Sequence, residues 1–337
     1  MYNQVFETPL ISVIIPCKNE ITHIEKCILS LINQINIPGE IEILVIDGNS
    51  TDGTKKILQS LSENYKNIKV VNNPKQITPV ALNLGIKASR GKYICILGAH
   101  AEYTNDFISS SLNLMNDHPE ASCVGGPIVS KGKTAFGKST AIAMSSFIGV
   151  GNAKHRFPNY EGFAEMACFP VFRRDVFDRI GMYDEALIKN QDDELCFRLK
   201  RDGGKVYISP SVKSIYYVRD DPVSLFKQYF DYGFWRAAVL KKHKIPISLR
   251  QLAPSTFFFV MLIIFVLGVI LEMYWIAILL PILYIISLLT IGLVHSFNKD
   301  FLICKYIPLS IFILHFSYAI GFVWGIIKFN FGAEKLR

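Results

Sequence analysis

Two short runs rich in isoleucine and valine, residues 11–15 and 41–46, constrain the fold of this chain more than any other feature. Turn residues follow each run, which is typical of short, buried parallel strands. Between them, residues 21–34 carry apolar side chains at helical spacing. The three segments together predict a βαβ unit in an open α/β sheet.

Polar residues follow both predicted strands. Asn19 and Glu20 come after the first, and Asp47 and Asp52 come after the second. Ligands of open α/β sheets bind beyond the carboxyl ends of the strands, and a carboxylate there can accept hydrogen bonds from a nucleobase or a ribose. The pattern therefore predicts a nucleotide-sugar site. The alternative is a turn at residues 50–52 that only caps the next helix.

The segments SVIIPCKNE and ILVIDGNSTDGT resemble the VIPxxNE and VDDGSTDGT motifs of family 2 glycosyltransferases, which are inverting enzymes of the GT-A fold. The resemblance implies a catalytic domain with a Rossmann-like mixed sheet. It implies that Asp47 contacts the base of the donor and that the other matching residues bind substrate, namely Pro16, Asn19, Glu20 and Asp52. One departure is Gly48, which stands where many members of the family have a second Asp.

The next similarity covers residues 78–97, which look like the family's segment before its metal-binding DxD motif. Here the chain reads Gly98-Ala99-His100, and AHAEY resembles the DAHAEY of the succinoglycan-biosynthesis branch. The resemblance implies that Gly98 lies at the donor site and that His100, with Glu102, binds a divalent cation. Imidazole binds Mn²⁺ well, whereas Mg²⁺ prefers oxygen ligands. Alternatively, His100 is a neutral ring hydrogen-bonded at a strand end.

Residues 172–201 resemble the family segment that ends in EDxxLxxRL. Aligning Leu195, Arg198 and Leu199 places Asp192 on the family's general base, with Asp193 as an additional acid. An inverting transfer needs one carboxylate to take the proton of the acceptor hydroxyl. The alternative is that these acids only stabilise the first turn of a helix.

Two further segments resemble the same branch. In GVGNAKHRF, the resemblance and the charge point to Arg156 as a ligand of the donor diphosphate, and Lys154 and His155 are open alternatives. In QYFDYGFWR, Gln228 and Trp235 are predicted to contact the acceptor sugar or the phosphate. The alternative for this aromatic and basic segment is an amphipathic helix at a membrane surface.

Three stretches near the end of the chain, residues 251–271, 273–298 and 306–327, contain no Asp, Glu, Lys or Arg. Each is long enough to cross a hydrocarbon core of about 30 Å as a helix. They predict about three transmembrane helices. The predicted organisation is a cytosolic GT-A domain at 1–235, a basic interface segment at 236–253, a membrane region at 254–328 and a tail at 329–337.

Charges near the spans predict their orientation. Basic residues crowd the approach to the first span, whereas the turn to the second has Glu272 and no basic residue, so the catalytic domain is predicted to lie in the cytosol. Residues 1–10 show no signal-peptide pattern. Three crossings would place Lys328, Lys335 and Arg337 outside, and a re-entrant or interfacial third segment is the alternative. The net charge of +8 fits attraction to anionic lipids, and nucleic-acid binding is not predicted.

These features predict a multi-pass membrane hexosyltransferase that moves a hexose from a nucleotide sugar, a UDP-sugar by expectation, to a polyprenyl-phosphate-linked saccharide or glycolipid. The expected pathway is exopolysaccharide or cell-surface glycan synthesis. The seven cysteines show no metal-binding spacing and are expected to be reduced. The alternative functions are a non-catalytic nucleotide-sugar-binding relative or partner subunit and, with fewer matching features, a nucleotidyltransferase.

Overall fold

The computed structural model describes residues 9–212, 215–246, 248–296 and 301–331. The chain forms two compact units, one of residues 1–129 and 154–215, the other of residues 130–153 and 216–337. The first unit therefore ends before residue 235, where the sequence placed a boundary. A single helix, Pro222–His243, runs through that boundary and belongs to the second unit.

Ten strands are described, and eight of them form one sheet in the order β3-β2-β1-β4-β8-β5-β9-β7, while β6 and β10 form a separate pair. In chain order the strands are β1 (Ile11–Cys17), β2 (Ile41–Asp47), β3 (Ile68–Asn72), β4 (Tyr93–Ile96), β5 (Ala121–Gly126), β6 (Val129–Lys131), β7 (Gly162–Ala164), β8 (Cys168–Arg173), β9 (Lys205–Ile208) and β10 (Ile215–Tyr217).

The large sheet is mixed. Strands β3, β2, β1 and β4 are parallel neighbours, β8 runs antiparallel to both β4 and β5, and β9 is parallel to β5. The carboxyl ends of β1, β2, β3, β4 and β5 therefore lie along one edge, which we call the carboxyl edge. This arrangement confirms the predicted GT-A-like mixed sheet.

Helices cover both faces of this sheet. In chain order, the α-helices of the whole chain are α1 (Ile24–Ile32), α2 (Thr54–Asn64), α3 (Thr78–Ala88), α4 (Phe107–Asp117), α5 (Ala135–Met144), α6 (Phe147–Val150), α7 (Asp175–Ile180), α8 (Gln191–Arg201), α9 (Pro222–His243), α10 (Ala253–Ile270), α11 (Tyr274–Ser296), α12 (Phe301–Cys304) and α13 (Ile307–Phe331).

Neighbouring residues of β1 show how the two layers form. Val13 and Ile15 belong to one apolar cluster, which includes residues of α1 and α4, whereas Ile14 belongs to a second cluster, which includes residues of α3 and α8. All three side chains are fully buried. Successive side chains of a strand point to opposite faces, so a strand covered on both sides has to be apolar at nearly every position.

The second unit is helical. It contains α5 and α6, the helices from α9 onward, and the predicted membrane segments. Three stretches are long and apolar enough to cross a membrane: Ala253–Ile270, Tyr274–His295 and Phe301–Phe331. Length and composition of these helices agree with the three spans expected from the sequence.

Candidate active site

The loops that follow β1 and β2 are joined by hydrogen bonds between side chains and backbone. The backbone amide of Asn19 donates to Ser50 Oγ at 2.8 Å, and the backbone amide of Thr51 donates to Asn19 Oδ1 at 2.9 Å. The Glu20 amide donates to Thr54 Oγ1 at 2.9 Å. Asn19 has a φ of 56°, a left-handed conformation that asparagine tolerates better than most residues. The two motifs predicted to bind the donor are thus one rigid structure.

Asp52 fixes the same junction. Its Oδ1 accepts from the Thr54 amide at 3.0 Å and from Thr54 Oγ1 at 2.6 Å, and its Oδ2 accepts from the Ile21 amide at 3.1 Å. These hydrogen bonds, chiefly that from the Thr54 hydroxyl, lower the pKa of the Asp52 carboxyl below its ordinary value. Both carboxylate oxygens of Asp52 therefore form hydrogen bonds within the loop, which agrees with the alternative that residues 50–52 form a turn that caps the next helix.

Asp47 is placed differently, at the carboxyl end of β2 with only 3% of its side chain exposed. Its oxygens accept from the Ser50 amide at 3.4 and 3.2 Å, and Lys55 Nζ lies 3.9 Å from Oδ2. Pro16 is the β1 residue that pairs with the neighbouring position of β2. These long contacts leave Asp47 with acceptor capacity for the N–H groups of a ligand.

Asn73, which directly follows β3, is a further polar residue at this edge that was not predicted from the sequence. Its amide donates to the Asp47 carbonyl at 2.8 Å, and its side-chain amide donates to the Ile77 carbonyl at 3.0 Å. Its Oδ1 is buried and has no hydrogen-bond partner within the described parts of the chain. A buried, unsatisfied acceptor is unusual, so Asn73 is a further candidate for a contact with the donor. Its position at a strand end beside Asp47 was the available signal.

The turn after β4 carries the predicted metal ligands. The Gly98 amide donates to the Tyr103 hydroxyl at 2.9 Å, and this hydroxyl donates to the Gly98 carbonyl at 3.0 Å. His100 lies between these residues with its side chain 64% exposed. The closed turn therefore holds His100 away from the apolar core.

The structure brings His100 to Glu20. His100 Nδ1 lies 3.6 Å from Glu20 Oε1, and His23 Nδ1 lies 3.3 Å from Glu20 Oε2. Glu20, predicted as a donor-binding residue, is thus the carboxylate nearest to the predicted metal ligand. His23 was not identified from the sequence, because it lies in a helix-capping position with no motif around it.

Glu102, the second predicted metal ligand, lies in the same turn and is exposed. Burial, with the nearby carboxylates of Glu20 and Glu102, raises the pKa of the Cys27 thiol to about 12. The thiol donates to the Gly98 carbonyl at 3.5 Å. Within the described residues no group of three His, Cys, Asp or Glu side chains is arranged to hold a metal ion. The chain offers at most a pair of ligands at this point.

Residues 154–156 lie beyond the end of β5, since the Ile128 amide donates to the His155 carbonyl at 2.7 Å. Lys154 Nζ donates to the Phe163 carbonyl at 3.0 Å and lies over the Tyr160 ring. His155 is buried, whereas Arg156 is half-buried. Lys154 therefore has a structural role, and Arg156 is the stronger candidate for a diphosphate ligand at the carboxyl edge.

The predicted general base lies in the first turn of α8. Strand β9 is parallel to β5, so β9 begins at the edge of the sheet opposite the carboxyl edge. Helix α8 ends just before β9 begins, and its first turn therefore lies toward the carboxyl edge. Asp192 is exposed, and its Oδ1 accepts from the Asp193 amide at 2.9 Å. Asp193 is half-buried. Of the two acids, Asp192 is the one presented to solvent.

A buried ion pair fixes this helix. Glu194 is fully buried, and Arg198 Nε donates to both of its oxygens at 3.0 Å. The same guanidinium donates to the carbonyl groups of Ile180, Gly181 and Met182 at the end of α7. The Leu195 and Arg198 pattern used for alignment thus corresponds to an anchor that determines where Asp192 lies.

Gln228 and Trp235 belong to α9 in the second unit. Gln228 Nε2 donates to the hydroxyl groups of Tyr216 and Tyr232 at 2.7 and 2.9 Å, while its buried Oε1 has no hydrogen-bond partner in the described structure. The Trp235 ring packs on Phe329 of α13, with centroids 6.0 Å apart. Trp235 therefore contributes to the packing between α9 and α13.

A cavity of about 330 Å³ lies away from these residues, at the amino end of β4. Two of its cations are engaged with backbone: Arg173 Nε donates to the Ala121 carbonyl at 2.9 Å, and Arg174 Nε donates to the Gly91 carbonyl at 2.5 Å. These arginines hold loops together, so the candidate site remains at the carboxyl edge, where the polar groups converge.

The Glycosyl transferase family 2 model matches residues 12–181, about half of the chain. The chain is 33% identical over 246 residues to the succinoglycan biosynthesis protein ExoA of Rhizobium meliloti (strain 1021), covering 72% of this chain and 73% of that protein. The chain belongs to glycosyl transferase family 2. The resemblance of the Ile11 and Ile41 segments to this family is thereby confirmed.

Two further comparisons extend over nearly the whole enzyme. A glycosyltransferase of Methanococcus voltae, named for transfer of a diacetamido-dideoxy-glucuronosyl group to dolichyl N-acetylglucosaminyl phosphate, is 29% identical over 327 residues, 95% of this chain and 98% of that one. The mannosyltransferase PcManGT of Pyrobaculum calidifontis, solved with GDP-Man and Mn²⁺, superposes with a TM-score of 0.61 at 15% identity, covering 95% of this chain and 88% of the other. This likeness supports the fold.

Proposed function

We propose that this family 2 glycosyltransferase moves a hexose from a UDP-sugar to a lipid-linked saccharide, with inversion at the anomeric carbon. The observation that carries the proposal is the presence of an exposed carboxylate, Asp192, toward the same sheet edge as the buried carboxylate of Asp47. The Asp192 carboxylate is exposed at the surface that a reacting hydroxyl would approach. The other is enclosed and has acceptor capacity for a bound base.

Asp47 would accept hydrogen bonds from the uracil ring, and Asn73 Oδ1 would supply a second acceptor beside it. Uracil offers an N–H donor, and a buried acceptor left unpaired costs about 1–3 kcal/mol. The single N–H of uracil would satisfy one of these acceptors, and a ribose hydroxyl would satisfy the other. The side chains of Asn19 and Asp52 form hydrogen bonds within the loop and so make it rigid. This suits donor binding, because a preformed site loses less conformational entropy when a ligand binds.

The pair His100 and Glu20 fits a divalent cation as a partial ligand set. The side-chain atoms lie 3.6 Å apart, so both can approach one ion after a small adjustment. A nitrogen and an oxygen ligand suit Mn²⁺ better than Mg²⁺. When bound, the cation would supply positive charge to the diphosphate of the leaving group. Arg156 would add a fork of N–H donors to the phosphate oxygens.

In the proposed reaction, the acceptor hydroxyl gives its proton to Asp192 while its oxygen forms a bond to the anomeric carbon. The bond between that carbon and the diphosphate oxygen breaks, and the nucleoside diphosphate leaves with the electron pair. Attack from the face opposite the leaving group inverts the configuration. Glu194 and Arg198 hold α8, so Asp192 keeps its orientation during the transfer.

The acceptor class follows from the helices of the second unit and from the relatives. Three stretches are apolar enough to cross a membrane, and the Methanococcus voltae relative is named for a dolichyl-linked acceptor. Basic residues before α10 favour a cytosolic position for the catalytic unit. Gln228, with its unpartnered buried oxygen, is the residue of α9 that we assign to the acceptor.

A calorimetric titration with UDP tests the donor assignment. We expect Asp47→Ala to lose most of the affinity, while Asp117→Ala, an exposed acid at the end of α4, retains it. Equal binding by both variants would overturn the role of Asp47. Transfer is then measured with radiolabelled nucleotide sugars and bacterial lipid extract. Binding of UDP without transfer from any sugar would indicate a nucleotide-sugar-binding relative instead.

A further inference from the structure

The helix α13 differs from the other two apolar helices in its burial. Half of the most apolar part of the stretch Phe301–Phe331, most of which is α13, is buried inside the protein, compared with 11% for Ala253–Ile270 and 17% for Tyr274–His295. A helix that crosses a bilayer beside few neighbours exposes most of its surface to lipid, as α10 and α11 do. The burial of α13 therefore requires a protein partner along its length.

That partner is α9. A Cβ atom on Gly233 of α9 would lie 2.1 Å from the Tyr318 carbonyl oxygen of α13, and one on Gly321 of α13 would lie 2.0 Å from the Phe230 carbonyl oxygen of α9. Glycine at these positions lets the two backbones touch. Residues of increasing number in α9 meet residues of increasing number in α13, so the two helices run parallel.

The contact continues toward both ends of α13. Near its end, the Phe329 ring packs on Phe234 with centroids 4.8 Å apart, and the Lys241 ammonium donates to the Phe329 carbonyl. Near its start, Ser310 Oγ lies 2.8 Å from Ser139 Oγ of α5. The contacts of α13 with α9 run from Tyr318 to Phe329, a length of about 17 Å at 1.5 Å per residue. Because the helices are joined over this distance, α13 shares the membrane depth of α9.

Helix α9 is poorly suited to crossing a bilayer. Its central turns carry Lys227, Asp231 and Arg236, and its last turn carries Lys241 and Lys242. A charged residue at the middle of a spanning helix costs about 2.5–3.5 kcal/mol on insertion scales. Three such residues near the middle make a spanning α9 unfavourable, and the parallel packing extends this constraint to α13.

The outer face of α13 is apolar and exposed. Its exposed large apolar side chains lie on one face of the helix and form one stripe, Leu309, Phe312, Ile320, Val323, Trp324, Ile327 and Phe331. A helix with one apolar face and a polar partner behind it is the arrangement that lies in a membrane surface. Acyl chains of one leaflet are the cover that fits a stripe of this chemistry and length.

Helix α13 contacts α10 and α11 at positions away from the turn that joins these two helices. The Phe316 ring meets Phe258 of α10 at 5.5 Å, and His315 Nδ1 accepts from the Tyr284 hydroxyl of α11 at 2.9 Å. Both partners lie away from the turn at residues 271–273, near which Gly268 contacts Ala277. The α13 helix thus meets α10 and α11 away from the end of the hairpin where they join.

We propose that α13 lies along the membrane surface with its exposed stripe in the acyl chains of one leaflet, and that only α10 and α11 cross the bilayer. Two crossings return the chain to the side of the first unit. Lys328, Lys335 and Arg337 then join the basic residues before α10 on one side of the membrane, as the positive-inside rule requires. The interfacial alternative for the third apolar segment follows from packing, independently of any transfer reaction.

Labelling with a membrane-impermeant maleimide tests the number of crossings in the full chain. Three variants are placed in sealed vesicles of both orientations: Lys26→Cys in the exposed face of α1, Leu271→Cys in the hairpin turn, and Arg337→Cys at the end of the chain. The unsubstituted chain is the blank, because its cysteines are buried apart from half-buried Cys168.

We expect Lys26→Cys and Arg337→Cys to react in the same vesicle orientation and Leu271→Cys to react in the other. Labelling of Arg337→Cys together with Leu271→Cys would mean three crossings and would overturn the proposal. Labelling of Leu271→Cys together with Lys26→Cys would show that the hairpin does not cross, which also overturns it.

A depth measurement distinguishes a surface helix from a spanning one. The three native tryptophans are replaced by phenylalanine, and one tryptophan is introduced either as Ile320→Trp in the middle of the α13 stripe or as Leu262→Trp in the middle of α10. Both positions are exposed. Lipids brominated near the headgroup should quench Ile320→Trp most, and lipids brominated near the chain end should quench Leu262→Trp most. Equal depths for both would refute a surface position for α13.

Discussion

The hydroxyl group of Tyr103 closes the turn after β4 by binding both the amide and the carbonyl of Gly98. The Tyr103 ring is buried and packs edge-on against Phe169, with centroids 5.3 Å apart. A rigid aromatic side chain therefore holds the residue that stands at the start of the family's metal motif. Because His100 lies within this closed turn, its position depends on Tyr103.

We expect Tyr103→Phe to weaken both the turn and the site. The change removes both hydrogen bonds that the hydroxyl makes to half-buried Gly98, and each such bond contributes about 0.5–1.5 kcal/mol. The melting temperature should fall, and the Mn²⁺ dependence of transfer should shift to higher concentration. Tyr65→Phe, in the half-buried turn before β3, is the matched control. Equal behaviour of the two variants would show that the hydroxyl does not position His100.

Gly98→Asp should strengthen cation binding. A Cβ atom at Gly98 would lie 3.4 Å from Phe169 and 3.8 Å from His100, both ordinary contacts, and the Gly98 backbone is outside the left-handed region. A third ligand with negative charge should tighten Mn²⁺ binding by about tenfold or more, since affinity rises with the charge of the ligand set. Titration with Mn²⁺ measures this directly. Gly48→Asp adds the same charge after β2, and equal tightening there would indicate a nonspecific effect of charge.

The sequence predicted the sheet because its strands are apolar at nearly every position, a pattern that only a sheet covered on both faces requires. It also predicted Asp47 and Asp192 as site residues, since both are embedded in motifs with fixed spacing, and their roles remain predictions. It did not reveal Asn73 or the contact between Glu20 and His100. These features depend on how the ends of four strands meet. No spacing along the chain encodes the distance between Glu20 and His100, which are 80 residues apart.

For the apolar helices, the sequence predicted the elements themselves but not their surroundings. Absence of charge correctly marked three helices of sufficient length. It gave no information on what covers each helix, because the glycines that bring α13 to α9 are read as ordinary apolar residues in a composition argument. The predicted boundary at residue 235 falls inside α9. The aromatic and basic segment was recognised, but its continuity as one helix was not.

Breaking the buried pair of α8 should destabilise the first unit strongly. Arg198→Met leaves the fully buried Glu194 carboxylate without its partner, and removal of one member of a buried ion pair costs about 3–5 kcal/mol. Glu194→Leu should cost a similar amount. The double variant should be much less destabilised than the sum of the two. Thermal unfolding of the three proteins gives the coupling, and additive losses would contradict the pairing.

The raised pKa of Cys27 predicts a loss of stability at high pH. The thiol pKa is about 12 in the fold compared with an ordinary value of 9.0. Between these values the unfolded chain has lost the proton and the folded chain retains it, so stability falls as pH rises. The expected slope is about 1.4 kcal/mol per pH unit for one proton. Cys27→Ala should show a shallower decrease of melting temperature above pH 9.0; parallel curves would show that Cys27 does not contribute.

The roles of the two acids at the start of α8 can be separated by kinetics. Asp192 is exposed and stands at the position that the Leu195 and Arg198 alignment assigns to the general base. Loss of a positioned base typically lowers the rate about 10²- to 10⁴-fold. Asp192→Asn should therefore lower kcat by that order with saturating donor. The Kd for UDP should stay nearly unchanged, because the amide has the shape of the carboxylate and the proposed base-binding groups lie at the ends of β2 and β3.

Asp193→Asn is the matched control, one residue away in the same turn. Its carboxylate interacts with the helix dipole, which is worth about 0.3–1 kcal/mol, so the rate should change only a few-fold and the melting temperature slightly. A severe loss for Asp193→Asn with an active Asp192→Asn would mean that the motif is aligned one residue out of register. If both variants keep full activity, the proton acceptor is not in α8, and Glu20 is the next carboxylate to test, since it lies at the same edge within reach of His100.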